Sequence, residues 1–314
     1  MIRFRSWAAL TAAFALGCGG ERNELSPGWE TLAPMAHPRT ENSAAALDGR
    51  IYVMGGFRSR TEAETAVERY DPATDSWETV TQLPAGVNHA GLAAVDGRLY
   101  LIGGFGEATF DAIADVRIFD PSTGEWSAGS PMPTRRGALA VAALDGKIHA
   151  LGGAVDDVEQ ATHEVYDPAT DEWEMRAPMP TARHHHAAAA IGGKIYVAAG
   201  RETSTGFRNL DALEIYDPAT DSWALGPPVP TARSGVAAVA LNERLYLFGG
   251  EGPGGTFDEN ERFDPLTGAW ERLPRMPTAR HGLGAAVIGA SIYVVGGGPQ
   301  PGFSFSGANE RFTP

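Results

Sequence analysis

The sequence predicts an all-β protein made of six copies of one four-stranded unit, because two markers repeat with the same period. Pairs of small residues recur every 47 to 50 residues, and the tryptophans keep the same intervals. The pairs are Gly55-Gly56, Gly103-Gly104, Gly152-Gly153, Ala199-Gly200, Gly249-Gly250 and Gly296-Gly297, and the tryptophans are Trp77, Trp126, Trp173, Trp223 and Trp270. Two separate markers that share one period indicate a structural repeat.

Each unit contains the signals of four short strands. In the first, an Ala-rich segment (Ser43–Leu47) ends at Asp48-Gly49, a dipeptide that accepts the positive φ angles of a tight hairpin. A β-branched and aromatic run, Ile51-Tyr52-Val53, then leads to the Gly pair. After a variable loop, a third strand enters the turn Asp71-Pro72, and Trp77 opens the fourth strand. No segment shows helical periodicity, so the units are β throughout.

The Gly pair, the Tyr before it, the aromatic-Asp-Pro turn and the Trp together resemble Kelch repeats, whose units form the blades of a β-propeller. The resemblance covers about residues 29–314 and implies a six-bladed Kelch-type β-propeller with four antiparallel strands per blade. The sixth unit stops at Pro314, before its Trp strand, while Gly28–Leu32 carries the missing pattern at the other end. We therefore expect an N-terminal strand to close the ring, which also hides the edges of the sheets.

The N-terminus has the features of an export signal. Arg3 and Arg5 precede an apolar run, Trp7–Leu16, that is too short to span a bilayer. The run leads into Ala15-Leu16-Gly17-Cys18, which resembles a bacterial lipoprotein signal, in which this cysteine becomes the lipidated first residue. Cys18 is the only cysteine and can form no intramolecular disulfide.

These features predict a signal peptide at residues 1–17, a lipidated tether at 18–28 and the propeller at 29–314. The expected location is the bacterial cell envelope, with a lipid anchor in the periplasm or at the outer surface. A plain signal peptide that precedes an incidental cysteine is the alternative.

One face of the predicted propeller carries the sequence variation. The turns after the first and third strands are short and repeat closely, whereas the loops after the second strands share little sequence. We call the side with the variable loops the variable-loop face; its loops are 57–67, 105–116, 154–163, 201–213, 251–260 and 298–309. Variable loops on a rigid frame usually carry binding, so we expect the ligand there. The net charge of −14 disfavours nucleic acid.

Candidate ligand contacts on this face are a repeated arginine and several aromatic residues. The arginine lies sixteen residues before the Gly pair and could bind carboxylates; the resemblance to Kelch propellers implies peptide binding on this side. The candidates are Arg39, Arg136, Arg183, Arg233, Arg280, Phe110, Phe207 and Phe257. The alternative is pairing within each blade, because Glu68, Glu164, Glu214, Glu261 and Glu310 recur on the third strand, and the second unit lacks both partners, with Val87 and Arg117 instead.

Histidines are concentrated near the start of the first strands, and three of them are consecutive, at 184–186. In a regular strand the middle one faces away from the other two, so all three cannot bind one ion. A metal site formed jointly with His89 or His281 stays open. We expect polar residues at the propeller mouth, with His185 among the ligand contacts, and neither a metal nor a cofactor.

The function expected from these features is a monomeric recognition scaffold for a protein, peptide or glycan. The alternative is a sugar epimerase or mutarotase similar to N-acetylneuraminate epimerase, which would use residues such as Glu202, Arg201 and His185; their spacing identifies no catalytic residue. Galactose-oxidase-like copper chemistry needs a cysteine linked to a tyrosine, and the only cysteine lies in the signal region.

Overall fold

A computed structural model describes residues 28–204 and 206–314 and places them in a ring of six four-stranded antiparallel sheets. The first strands of neighbouring sheets lie side by side around a central channel. This confirms the six-bladed propeller. The predicted signal peptide and Cys18 lie outside the described residues. In those residues, no helix has the length and apolar character needed to cross a membrane.

Each blade is an antiparallel meander of four strands, numbered from the channel outwards; the four follow in chain order in five blades, and the sixth takes its fourth strand from the N-terminal end. The first strands are Ser43–Leu47, Gly91–Val95, Ala140–Leu144, Ala187–Ile191, Ala237–Leu241 and Gly284–Ile288. The second strands are Arg50–Met54, Arg98–Ile102, Lys147–Leu151, Lys194–Ala198, Arg244–Phe248 and Ser291–Val295. The third strands are Ala66–Asp71, Val116–Asp120, His163–Asp167, Leu213–Asp217, Asn260–Asp264 and Asn309–Thr313. The fourth strands are Ser76–Gln82, Glu125–Gly129, Glu172–Met175, Ser222–Leu225, Ala269–Arg272 and, for the sixth blade, Gly28–Thr31.

The hydrophobic core lies between adjacent blades. Tyr246 and Phe248 of the fifth blade, for example, pack with Ile292, Val294 and Phe312 of the sixth. The first strands carry mostly Ala and Val, and burial alternates along several of them. Small side chains let six strands approach the axis while alternate residues face the core and the channel.

The ring is closed by the two ends of the described chain. Gly28–Thr31 pairs antiparallel with Asn309–Thr313, and Trp29 stands opposite Phe312. The two rings are 5.0 Å apart, and the Trp29 indole Nε1 donates a hydrogen bond of 2.8 Å to the Pro274 carbonyl. The N-terminal closing strand is therefore confirmed.

The repeated Gly pair is required where the chain leaves the second strand. Gly55 and Gly56 adopt φ angles of 64° and 92°, a region that favours glycine. A Cβ atom on Gly56 would lie 2.5 Å from the Thr40 carbonyl oxygen, and one on Gly55 would lie 2.7 Å from that of Val87. Because glycine has no side chain, the end of the second strand can contact the backbone of two segments. One leads into the first strand of the same blade, and the other leads into the first strand of the next blade.

The variable loops are more regular than the sequence suggests. Four of them fold into short two-stranded hairpins, and in the second blade Phe105–Gly106 pairs instead with Val87–Asn88. The hairpins join Phe57–Ser59 to Glu62–Ala63, Ala154–Val155 to Val158–Glu159, Arg201–Glu202 to Arg208–Asn209, and Glu251–Gly252 to Gly255–Thr256.

The third blade buries two neighbouring histidines. His149 stands where the other blades have tyrosine, and its Nδ1 lies 2.9 Å from Nε2 of His163. Burial lowers the pKa of His149 to about 3 and that of His163 to about 4. In the unfolded chain both would titrate near pH 6.5. Between about pH 4 and pH 6.5 the unfolded state therefore binds more protons than the folded state, so acid destabilises the fold.

We expect the free energy of unfolding to fall as the pH is lowered from about 6.5 to 4, by up to about 1.4 kcal/mol per pH unit for each histidine. Replacing His163 by Asn, the residue at this position in the last two blades (Asn260 and Asn309), should remove the contribution of this one histidine and so lessen the loss, while the other buried histidines keep their contributions. Melting temperatures of both proteins at pH 7 and pH 4.5 check the prediction. Equal losses in the two proteins would contradict it.

Candidate functional site

The mouth of the channel on the variable-loop face is built by a ring of six equivalent residues. Each lies two positions after the repeated arginine or its equivalent, and each has a positive φ. Five hydrogen bonds of 2.8–3.1 Å join their amides and carbonyls in sequence around the axis, and the Asn42 amide closes the ring at 3.3 Å from the Gly282 carbonyl. The ring residues are Glu41, His89, Ala138, His185, Gly235 and Gly282. Because only three of them have long side chains, the mouth is asymmetric and polar on one side.

A second layer comes from the residue directly after each Gly pair. Arg201 and Glu251 occupy this position in the fourth and fifth blades and form backbone bridges with His184 and Ser234. His281 forms the corresponding bridge with Gly298 in the sixth blade. These bridges bring Arg201, Glu251 and His281 over the ring residues, where they line the same cavity.

The polar side chains form one connected cluster. Arg201 Nη1 donates to Glu251 Oε1 at 2.6 Å, and its Nη2 donates to His185 Nε2 at 3.0 Å. The backbone amide of Gly302 donates to the other oxygen of Glu251, at 3.1 Å. Glu41 Oε2 lies 3.3 Å from His89 Nε2. We call Glu41, His89, His185, Arg201, Glu251 and His281 the mouth cluster.

Burial sets the charge of these groups. Burial lowers the pKa of His89 and His185 well below the usual range, and the positive charge of Arg201 adds to the effect, so both imidazoles are neutral at pH 7. Burial also raises the pKa of Glu41. Burial alone would raise the pKa of Glu251. Electrostatic attraction to His281 and Arg201 has the larger effect, so the pKa is lowered.

Phenylalanines wall the cavity above the mouth cluster. The ring of Phe57 lies 5.1 Å from that of Phe303 and 6.1 Å from that of Phe110. Phe57 is buried, whereas Phe110 is 53% exposed and Phe303 is 37% exposed. The cavity holds about 100 Å³, and the channel below it, lined by the first strands, holds about 150 Å³. The site is thus a small aromatic pocket with a polar floor.

The five repeated arginines do not reach this site, which corrects their assignment as ligand contacts. Each is fully buried and paired with the glutamate of its own blade, so no part of it can touch a ligand. The pairs are Arg39–Glu68, Arg136–Glu164, Arg183–Glu214, Arg233–Glu261 and Arg280–Glu310. These pairs hold the segment that connects one blade to the next against the third strand of the blade that follows.

The second blade has different residues at the two positions of this pair. Val87 replaces the arginine and joins the hydrophobic core. Arg117 replaces the glutamate and reaches outwards, donating to the Ala85 carbonyl at 2.6 Å and to Asp115 Oδ2 at 3.0 Å. Both changes together leave no buried charge without a partner.

The other predicted contacts lie on the variable-loop face, but at different depths. His185 lines the pocket, as does Phe110. Phe207 is 48% exposed, and the Arg201 guanidinium lies 5.3 Å from its ring centre. Phe257 is half-buried beside Gly252. Glu202 pairs with Arg208 at 2.6 Å and does not line the pocket.

Two residues of the mouth cluster, Glu41 and Glu251, were not singled out from the sequence. Both occupy repeat positions that carry other polar residues: Glu41 aligns with His89 and His185, and Glu251 aligns with Arg201. Comparing the units position by position relative to the Gly pair would have identified them, because small or apolar residues fill these positions in other blades.

The chain is similar to known Kelch proteins. The family model described as the KLHDC2/KLHL20/DRC7 Kelch-repeats domain matches residues 128–298, and that of the Kelch motif matches 38–84 and 87–133. Kelch-like protein 30 of Homo sapiens is 52% identical over 48 residues, which are 15% of this chain and 8% of that protein. An F-box/kelch-repeat protein of Arabidopsis thaliana is 44% identical over 50 residues, 15% of this chain and 14% of that protein.

The matches therefore span only a small part of these relatives. Among solved structures, that of YjhT superposes with a TM-score of 0.75 and 19% identity, covering 88% of this chain and 96% of that one. At this identity the likeness concerns the fold.

Proposed function

Because this chain belongs to the Kelch-repeat family, we propose that it is a recognition module that binds a protein or peptide partner through its variable-loop face. The observation that carries the proposal is the aromatic pocket above the mouth cluster. A volume of about 100 Å³ accepts one side chain or a group of similar size, whereas pockets that enclose a whole small molecule usually hold roughly 300 Å³ or more. A pocket of this size suits the anchor group of a larger ligand.

The exposed aromatic surface supports the same function. The three exposed phenylalanines of the described residues, Phe110, Phe207 and Phe303, all lie on loops of the variable-loop face. Exposed aromatic residues around a pocket are typical of binding surfaces, where they contribute large apolar area. By contrast, Leu266, which is 90% exposed, lies in the Asp-Pro turn of the fifth blade, on the opposite face. It therefore offers a matched control position.

Site-specific photocrosslinking in whole cells tests this proposal. A photoreactive residue at 110, 207 or 257 should capture one and the same partner, because the three positions surround one face, and the residue placed at 266 should not capture it. Capture of a glycan would show that the ligand is a carbohydrate rather than a protein. Identical products from position 266, or none from the other three, would contradict recognition on this face.

We also propose that the chain is exported and held in the cell envelope through a lipid on Cys18. The tether would join the propeller at Gly28, where the fourth strand of the sixth blade begins. That strand starts on the face of the Asp-Pro turns, because fourth strands run from those turns towards the blade connections. Ten residues span at most about 35 Å. An anchored propeller would thus present its variable-loop face away from the membrane.

Replacing Cys18 by Ser should move the protein from the membrane fraction to the soluble fraction, since the lipid would have no attachment site. Fractionation of cells that express either form measures this directly, and melting curves of both forms control for misfolding. A Cys18→Ser protein that stays entirely in the membrane fraction would contradict the lipid anchor.

A second candidate function is a sugar epimerase or mutarotase, favoured by the carboxylates, imidazoles and guanidinium on the pocket floor. Glu41 or Glu251 is better placed than Glu202 to exchange a proton there, because only the first two line the pocket. Loss of a sugar-conversion activity in a Glu41→Gln variant, with the activity retained in Glu202→Gln, would favour this candidate.

A further inference from the structure

The imidazole of His89 directs an unprotonated nitrogen into the mouth of the channel. The Asn88 side-chain amide donates from Nδ2 to the carbonyls of Glu107 at 2.7 Å and of Phe105 and Thr109 at 3.3 Å each, which fixes its orientation. Its Oδ1 therefore faces His89 Nδ1, 2.6 Å away, and accepts the proton of that nitrogen. The lone pair of His89 Nε2 is left pointing at Glu41.

A chain of donors fixes His185 in the same way. The Thr203 hydroxyl donates to Glu159 Oε1 at 3.0 Å and accepts from His184 Nε2 at 3.1 Å. His184 Nδ1 is then an acceptor and takes the proton of His185 Nδ1, 2.5 Å away. Nε2 of His185 keeps its lone pair, in agreement with the hydrogen bond that it accepts from Arg201.

The third imidazole of the mouth cluster differs, because both of its nitrogens face oxygen acceptors. His281 donates from Nδ1 to the Gly298 carbonyl at 3.1 Å, and its Nε2 lies 3.5 Å from Glu41 Oε1 and 3.6 Å from Glu251 Oε2. Glu41 thus lies between the acceptor nitrogen of His89 and the imidazole of His281, its side chain is only 12% exposed, and none of the described residues donates a hydrogen bond to it that is shorter than 3.5 Å. A carboxylate buried beside the unprotonated Nε2 of His89 is a favourable arrangement for a bound cation.

We propose that Glu41, His89 and His185 bind a divalent transition-metal ion of the zinc class. Their ligand atoms all lie within 4.8 Å of one another, and His89 Nε2 and Glu41 Oε2 are 3.3 Å apart. Ligand atoms in a tetrahedral zinc site with bonds of about 2.1 Å are separated by roughly 3.4 Å. Imidazole nitrogen with one carboxylate selects zinc or its neighbours over Mg²⁺ and Ca²⁺, which prefer all-oxygen sites.

The surroundings match those of a metal ligand set. The Nδ1 protons of His89 and His185 are taken by the Asn88 amide oxygen and by His184, an arrangement that orients the lone pairs of metal-binding histidines. The ion would take the place of Arg201 on His185 Nε2, and Arg201 would keep its pair with Glu251. Three protein ligands leave one coordination position, which faces the phenylalanine-walled pocket.

Zinc binding by the purified, untagged protein after treatment with a chelator tests this inference and needs no partner. Calorimetric titration should show one equivalent of Zn²⁺, and Co²⁺ in its place should give the visible absorption of a tetrahedral site. Glu41→Gln and His89→Ala should each weaken binding at least tenfold. His37→Ala should bind as the wild type does, because its imidazole is exposed and lies beside Glu64.

The melting temperature gives a second readout that separates a lost ligand from a damaged fold. Zn²⁺ should raise the melting temperature of the wild type and leave that of Glu41→Gln unchanged, while metal-free Glu41→Gln should be at least as stable as the metal-free wild type, because it removes a buried charge without a hydrogen bond. No bound Zn²⁺ in the wild type, or equal affinity in the wild type and Glu41→Gln, would overturn the inference; the latter would mean binding by surface carboxylates only.

Discussion

Replacing Arg233 by Val is expected to destabilise the propeller by about 3–5 kcal/mol, because it removes the buried cation paired with Glu261 and leaves this carboxylate only the Thr231 hydroxyl at 2.8 Å and Arg272 at 3.7 Å. Arg233 Nη1 lies 2.5 Å from Glu261 Oε2, and both side chains have no exposed surface. The guanidinium also donates to the carbonyls of Gly249 at 2.7 Å and Thr231 at 2.9 Å, so the substitution leaves these acceptors unpaired as well. Denaturant unfolding measures the change.

The second blade supplies the matched control. It carries Val and Arg at the equivalent positions, and the arginine bonds to Asp115 and to the Ala85 carbonyl. The fifth blade has Glu259 and Thr231 at those two positions. The double variant Arg233→Val with Glu261→Arg should therefore recover much of the lost stability. A double variant that is less stable than Arg233→Val alone would show that the pair does not act as an exchangeable unit.

Removing the closing strand should have a comparable effect. A chain that begins at Ala33 lacks Gly28–Thr31, which exposes the edge of Asn309–Thr313 and uncovers Phe312 and Phe248 where Trp29 packed on them. Loss of a packed tryptophan alone costs about 3 kcal/mol or more, which corresponds to a fall in the melting temperature of about five degrees or more.

The proper comparison is a chain that begins at Gly28, since it keeps the strand and lacks the same preceding residues. Calorimetry of the two proteins should show the lower melting temperature only in the shorter one. Identical melting curves would mean that the strand does not hold the ring closed.

The fold could be predicted from the sequence because its constraints repeat. The Gly pair is favoured by two positive φ angles and a close backbone approach. The same requirement recurs in every blade, so the pair appears five times and once as Ala199-Gly200, where Ala199 has a φ of 62°. The missing strand of the sixth blade was identified for the same reason. The exchange in the second blade indicated pairing of the repeated arginines as the alternative to ligand binding, and the structure shows the pairing.

The site could be predicted only in part, because it is made of departures from the repeat. Glu41, His89 and His185 belong to different blades and meet only when the ring closes. The positive φ of His185 also turns its side chain out of the regular strand alternation on which the sequence argument relied. Non-repeated residues brought together by closure carry no local signal, so their mutual distances became visible only in the structure.

Recognition at the aromatic pocket is tested by measuring how tightly the partner identified by crosslinking binds two variants. Phe110→Ala should weaken binding by about 2 kcal/mol, or roughly thirtyfold in Kd, with little change in stability because the side chain is 53% exposed. Leu266→Ala, on the opposite face, should bind as the wild type does. Equal affinities for the wild type and Phe110→Ala, or an equal loss in both variants, would contradict recognition at this pocket.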